Sequence, residues 1–165
     1  MVETIELKFK GPFGEENLPL GDKYKCSGIY TVYARTNIFL DGGDEPDEYP
    51  IHRLLYIGEA EDLSKRLDIK SKHPDKLIHE KYKKWKKQLE DEEFLLFAVA
   101  KVNSEDREQA EAALIYHHHN VYELELPCNE QNKESFNYST TRIKTSGYNE
   151  LLDVDFTVEG YSKAE

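Results

Sequence analysis

Phe94 to Ala100 (FLLFAVA) is the longest uninterrupted apolar run in the chain. Its seven residues fall far short of the roughly 20 that a membrane-crossing helix needs. They are also too few for a helix standing alone, so the run predicts a buried strand bounded by charged residues. With no longer run, a membrane class is excluded. The N-terminal text MVETIELKFKG carries two acids and no apolar stretch, so it does not read as a secretory signal. Cys26 and Cys128 are too few for a framework of disulfide staples, and a reduced, cytoplasmic setting is expected.

Two further strands are predicted around this one. Gly28 to Arg35 (GIYTVYAR) and Ile51 to Ile57 (IHRLLYI) are rich in β-branched and aromatic residues. The acidic, turn-rich text from Asn37 to Pro50 joins them, which suggests an antiparallel hairpin with a long connection. A helix is expected over 60–67 and another over 74–89. In the second, Ile78, Tyr82, Trp85 and Leu89 recur at the spacing of one buried stripe, and Pro74 suits its first turn. Ser104 followed by Glu105 and Asp106 predicts the start of a helix reaching about His118. Short strands are expected over 140–145 and 151–158. The first 25 or so residues, with Gly and Pro between Gly11 and Gly21, read as an irregular arm.

The order β–β–α–α–β–α predicts an α+β domain with a small, mainly antiparallel central sheet flanked by helices. One domain is expected over 1–165, with its core over 28–130, an N-terminal arm over 1–27 and a C-terminal extension over 131–165. Hydrophobic residues are only 38% of the chain, but 11 Tyr, 7 Phe and one Trp suffice for a modest core.

Net charge is −11, which argues against a generic nucleic-acid binder. The distribution changes that. Between Lys65 and Lys87, nine lysines and Arg66 stand against Asp68, Asp75 and Glu80, a net of +7 that leaves −18 for the rest. One basic segment on an acidic body makes a focused field.

Gly28-Ile29-Tyr30 opens the first hairpin strand and Tyr56-Ile57-Gly58 closes the second, so antiparallel pairing brings both tyrosines to one end of the hairpin. Arg66, His79, Glu111 in EAALI and Asn129 in LPCN follow in order. This text resembles the GIY-YIG nuclease superfamily over about Gly28 to Asn129. The resemblance is carried by GIY, YIG, the Arg eight residues after Gly58, the Glu before Leu-Ile, and the Asn. Between Tyr30 and Tyr56 lie 25 residues, whereas the family's two tripeptides are usually separated by about ten, and the surplus is assigned to the acidic loop, where an insertion costs little. His73 and His79 both follow Arg66 at distances that relatives use; His79 is preferred for its place on the second helix.

The resemblance implies phosphodiester hydrolysis, with DNA ahead of RNA as substrate. Glu111 would hold one Mg²⁺ or Mn²⁺, an ion that keeps several of its waters. Arg66 would fork onto phosphate oxygens. Tyr30 would accept the proton of the attacking water if Arg66 or a lysine lowers its ordinary pKa of about 10. Tyr56 and His79 would orient that water, and Asn129 would brace the site. Lys65, Lys83, Lys84, Lys86 and Lys87 are the expected phosphate contacts, with Trp85 in the core rather than stacking on a base. A homodimer or a targeting partner would help an acidic chain reach its substrate.

Other readings are weaker. Consecutive helical residues point about 100° apart, so His117, His118 and His119 cannot all face one zinc ion. Cys26 and Cys128 read as small, half-buried residues. The alternative to a nuclease is a non-cleaving module of the same fold that binds a protein or a nucleic acid, which the overall negative charge favours.

Overall fold

The computed structural model describes residues 2–40, 47–70, 76–122, 126–129 and 135–161. The order of elements is β1 (Glu3–Gly14), β2 (Gly28–Leu40), β3 (Asp47–Ala60), α1 (Leu63–Arg66), α2 (Lys76–Lys87), β4 (Phe94–Lys101), α3 (Arg107–Tyr122), β5 (Thr141–Gly147) and β6 (Asp155–Val158). The class is α+β: three helices against one six-stranded, mainly antiparallel sheet in the order β3-β2-β4-β1-β5-β6.

The expected hairpin and third strand form the antiparallel trio β3-β2-β4. The N-terminal segment differs from expectation. Ile5, Leu7 and Phe9 are buried while Glu6, Lys8 and Lys10 are exposed, the period-2 pattern of a strand. β1 therefore lies inside the sheet, antiparallel to β4 and parallel to β5. Its register slips between Lys10 and Phe13, where Gly11 has φ +148° and a Cβ would meet the Phe97 carbonyl oxygen at 2.8 Å. Only glycine fits that bulge.

The surplus between the two tripeptides also differs from expectation. It lengthens the strands: β2 and β3 stay paired out to Leu40 and Asp47, whereas β2 pairs with β4 only as far as Arg35. The far half of the hairpin is thus an arm beyond the sheet. α1 is a single turn, capped by Asp62, whose Oδ1 accepts from the Lys65 amide at 3.0 Å. α3 begins at Arg107 rather than at Ser104 and runs past His118.

Side chains of β4 alternate strictly between two apolar layers. Leu95, Phe97 and Val99 face Tyr30, Tyr56, Leu63, Ile78 and Trp85, under α1 and α2. Leu96, Ala98 and Ala100 face Ile29, Ile57, Ala110, Ala113 and Leu114, under α3. The run that opened the sequence is buried on both sides because both sides carry helices. Each fully buried large apolar side chain in these layers contributes about 1.5–3 kcal/mol. Among the described residues no helix is long and apolar enough to cross a membrane.

Candidate functional site

Antiparallel pairing sets Tyr30 opposite Gly58. Tyr30 and Tyr56 point to the same face, with ring centroids 5.6 Å apart, and Trp85 of α2 closes over both at 6.3 and 5.6 Å. A Cβ at Gly58 would lie 2.5 Å from Tyr30 Cζ and 2.5 Å from Tyr56 Cε1. The third residue of YIG is glycine because two rings lie across it. Trp85 is fully buried, as expected of a core residue.

The Tyr30 hydroxyl is buried and makes no well-formed hydrogen bond. Burial pushes its pKa well above the ordinary value, and the neighbouring Tyr56 adds to this, while Arg66 pulls the other way and does not prevail. The expected lowering of this pKa is therefore reversed. Tyr30 is a neutral hydroxyl in this setting, suited to donate or orient rather than to accept a proton. Arg66 ends α1, half-buried, with no carboxylate partner among the described residues.

Tyr56 has a partner that the sequence reading missed. Lys81 donates to the Tyr56 hydroxyl, and its Nζ also lies 4.5 Å from the ring centroid. The signal was available: Lys81 stands one helical turn before Trp85, on the same side of α2. His79, preferred as the water-orienting histidine, makes no hydrogen bond or ion pair among the described residues. His73, the other candidate, lies outside the described residues.

Asn129, expected to brace the site, holds the edge strand β3. Its Oδ1 accepts from the Ile57 amide at 3.1 Å and its Nδ2 donates to the Ile57 carbonyl at 2.9 Å. Beside it the Cys128 amide donates to the Leu55 carbonyl at 3.1 Å. The Cys128 thiol is buried and pushed above its usual range by that burial, against the pull of Lys84 and Arg53. A cysteine so placed is a poor nucleophile.

Glu111 is on α3, whose apolar side packs on the face of the sheet opposite Tyr30 and Tyr56. It lies with Glu108 and Glu59 near Tyr138, whose hydroxyl is raised by burial first and then by Glu108, Glu111 and Glu59. Glu59 is tied to the buried Arg107 at 2.5 Å. Oxygen donors of this kind suit Mg²⁺ or Mn²⁺, but among the described residues no three His, Cys, Asp or Glu side chains converge on one point.

Of the expected phosphate contacts, Lys65, Lys83 and Lys87 are exposed and form no ion pair among the described residues. Lys86 differs: it is paired with Glu15 at 3.1 Å. Lys84 and Lys87 line a pocket of ≈ 290 Å³ together with Pro127, Cys128 and Asn129, so the basic helix and the brace share one opening. Among the described residues, His117, His118 and His119 belong to no group of three ligating side chains that converge on one point. His117 stacks on Phe156 at 3.8 Å and bonds Asp153 at 2.6 Å, a structural use.

Compared with known proteins, the chain matches no protein-family model, no curated protein and no solved structure.

Proposed function

We propose that this chain is a metal-dependent endonuclease that hydrolyses phosphodiester bonds, DNA ahead of RNA, through a GIY-YIG-type site. One observation carries the reading. Among the described residues, a buried tyrosine hydroxyl without a well-formed hydrogen bond lies beside an arginine without a carboxylate partner, at the hairpin end where both tripeptides meet. Buried polar groups are ordinarily satisfied, and an arginine without a carboxylate is free to take a phosphate.

In this reading Arg66 forks onto the non-bridging oxygens of the scissile phosphate and offsets the charge that develops there. Tyr30, held neutral, directs its hydroxyl at the attacking water or at a phosphate oxygen. Lys81 fixes the Tyr56 hydroxyl, which aligns the nucleophile, and Asn129 keeps the edge strand in register beneath them. Glu111 would hold Mg²⁺ or Mn²⁺, which supplies Lewis-acid stabilisation of the departing oxygen. Lys65, Lys83 and Lys87 would receive the flanking backbone.

The position of Glu111 on the opposite face favours the second reading, a module that binds nucleic acid or protein without cutting. The assay that separates the two uses purified protein with Mg²⁺ and then Mn²⁺ against plasmid, branched DNA and structured RNA, beside Glu111→Ala and Arg66→Lys. The nuclease reading expects metal-dependent cutting that falls by at least about 10²-fold in both variants. Binding without cutting by any of the three would install the second reading. Cutting equal in all three would remove both residues from the site.

A further inference from the structure

The sheet has two parts that are covered differently. α1 and α2 lie over β3-β2-β4, and α3 lies over the other face as far as β5 and β6. On the α2 side, no α-helix among the described residues covers β1-β5-β6, and Thr4, Glu6, Lys8 and Lys10 of β1 are exposed there. That open face is basic. Lys8, Lys10, Lys23 and Lys101 meet around a pocket of ≈ 490 Å³ completed by Glu6 and Tyr24. A neighbouring pocket of ≈ 390 Å³ shares Glu6 and Lys8 and adds Lys144.

These cations come from four separate places: β1, the turn at Asp22–Tyr24, the end of β4, and β5. No run in the sequence shows them. None of the five forms an ion pair among the described residues. The nearby acids are Glu6 and Asp155, and Asp155 is already held by Arg142 at 2.6 and 2.9 Å. Lys23 and Lys101 pass 5.2 and 5.6 Å from the Tyr24 ring, which holds both ammonium groups over the pocket. A chain of net charge −11 thus places five lysines on one face with no ion pair to any of them among the described residues.

We infer that this open face binds the phosphodiester backbone of a nucleic-acid strand, as a second contact surface separate from the basic helix α2. Two geometric facts favour a strand of phosphates over a single anion. Lys8 and Lys10 project from one strand about 7 Å apart, and the step from β4 across β1 to β5 adds about 10 Å, so the patch spans several phosphates. Lys101 also pairs with Gly28, two residues from Tyr30, so a strand lying on this face leads toward the candidate site. The inference rests on the proposed function for its choice of ligand, but binding is read here without cleavage.

The test measures binding of a short labelled DNA duplex and of one of its single strands by fluorescence anisotropy. It uses the full chain in metal-free buffer across a salt series. The combined variant Lys8→Gln, Lys10→Gln, Lys23→Gln, Lys101→Gln is expected to weaken binding at least about tenfold, and to reduce the slope of log K against log salt by about 2 to 4. Glu6→Lys, an exposed single change that does not depend on the fold of the first variant, is expected to tighten binding and steepen the slope by about one. Unchanged affinity and slope in a folded four-lysine variant, or no gain from Glu6→Lys, would overturn the inference. So would an equal dependence on these lysines for a polyglutamate peptide or for phosphatidylserine vesicles, which would assign the face to another partner. A chain that binds in this way and never cuts would sink the nuclease reading and leave the face standing.

Discussion

Gly58 faces the ring of Tyr30 so closely that a single added carbon would stand 2.5 Å from its Cζ and 2.7 Å from its hydroxyl oxygen. Tyr30 is fully buried and Trp85 seals the ring from the other side, so neither partner has room to withdraw. Gly58→Ala is therefore expected to destabilise the chain by about 1–3 kcal/mol and to displace the Tyr30 hydroxyl. Urea unfolding checks the first effect. A variant within about 0.5 kcal/mol of the parent would show that the contact relaxes freely.

Tyr30→Phe separates stability from chemistry. The hydroxyl is buried without a well-formed hydrogen bond among the described residues, so its removal relieves a poorly satisfied group and is expected to leave stability equal or higher. Cleavage is expected to fall at least about 10²-fold. Because burial raises the Tyr30 pKa, any rise of the parent's rate between pH 6 and 9 is expected to survive in the residual activity of the variant. A rate limb that disappears with Tyr30→Phe would make the tyrosine the titrating base after all.

Asn129→Ala removes two bonds to the Ile57 backbone and leaves that peptide group open at the sheet edge. The expected loss is about 1–3 kcal/mol. Asn129→Asp keeps the acceptor for the Ile57 amide and turns an oxygen toward the Ile57 carbonyl, so it is expected to fall between the two. Hydrogen exchange at the Ile57 amide reads the local effect, and protection equal to the parent in Asn129→Ala would dismiss the brace.

Asp153 gives a pH-dependent test on the far side of the molecule. Its carboxylate accepts from His117 first and Tyr122 second, and both hold its pKa below the ordinary 3.8. A lowered carboxylate pKa adds stability above the unfolded value, and that stability is lost as pH falls through the folded value. Asp153→Asn is therefore expected to be less stable than the parent at pH 7, with the gap closing as pH drops below 3.8. Unfolding midpoints that differ by the same amount at both ends of the range would contradict the assignment.

The three central strands were legible because each is a short β-branched or aromatic text between turn signals, and Phe94 to Ala100 had no other way to be buried. Strand β1 was equally legible in its alternation of Ile5, Leu7 and Phe9 with charged neighbours, but the Gly and Pro that follow disguised it as an arm. Helix periodicity placed Ile78 and Trp85 in the core correctly. For the candidate site, the order of residues located Tyr30, Tyr56 and Asn129, since antiparallel register follows from the hairpin. What one sequence could not yield was the direction of the Tyr30 pKa, because burial under Trp85 outweighs the nearby Arg66. Nor could it yield the lysine face, which exists only after four distant segments are folded together.

The hairpin arm beyond β4 has a consequence for self-association. It carries Ile38 and Phe39 of β2 and Tyr49 and Ile51 of β3 in exposed positions, with Phe39 66% exposed, and β3 forms the outer rim of the sheet. A rim of that kind is a template on which a second chain can add its own strand. Pro50, paired opposite Asn37, interrupts the row of amide donors at the centre of this stretch. A copy approaching in register would find one rung missing, so the arm can display its aromatic side chains while resisting fibre-like stacking.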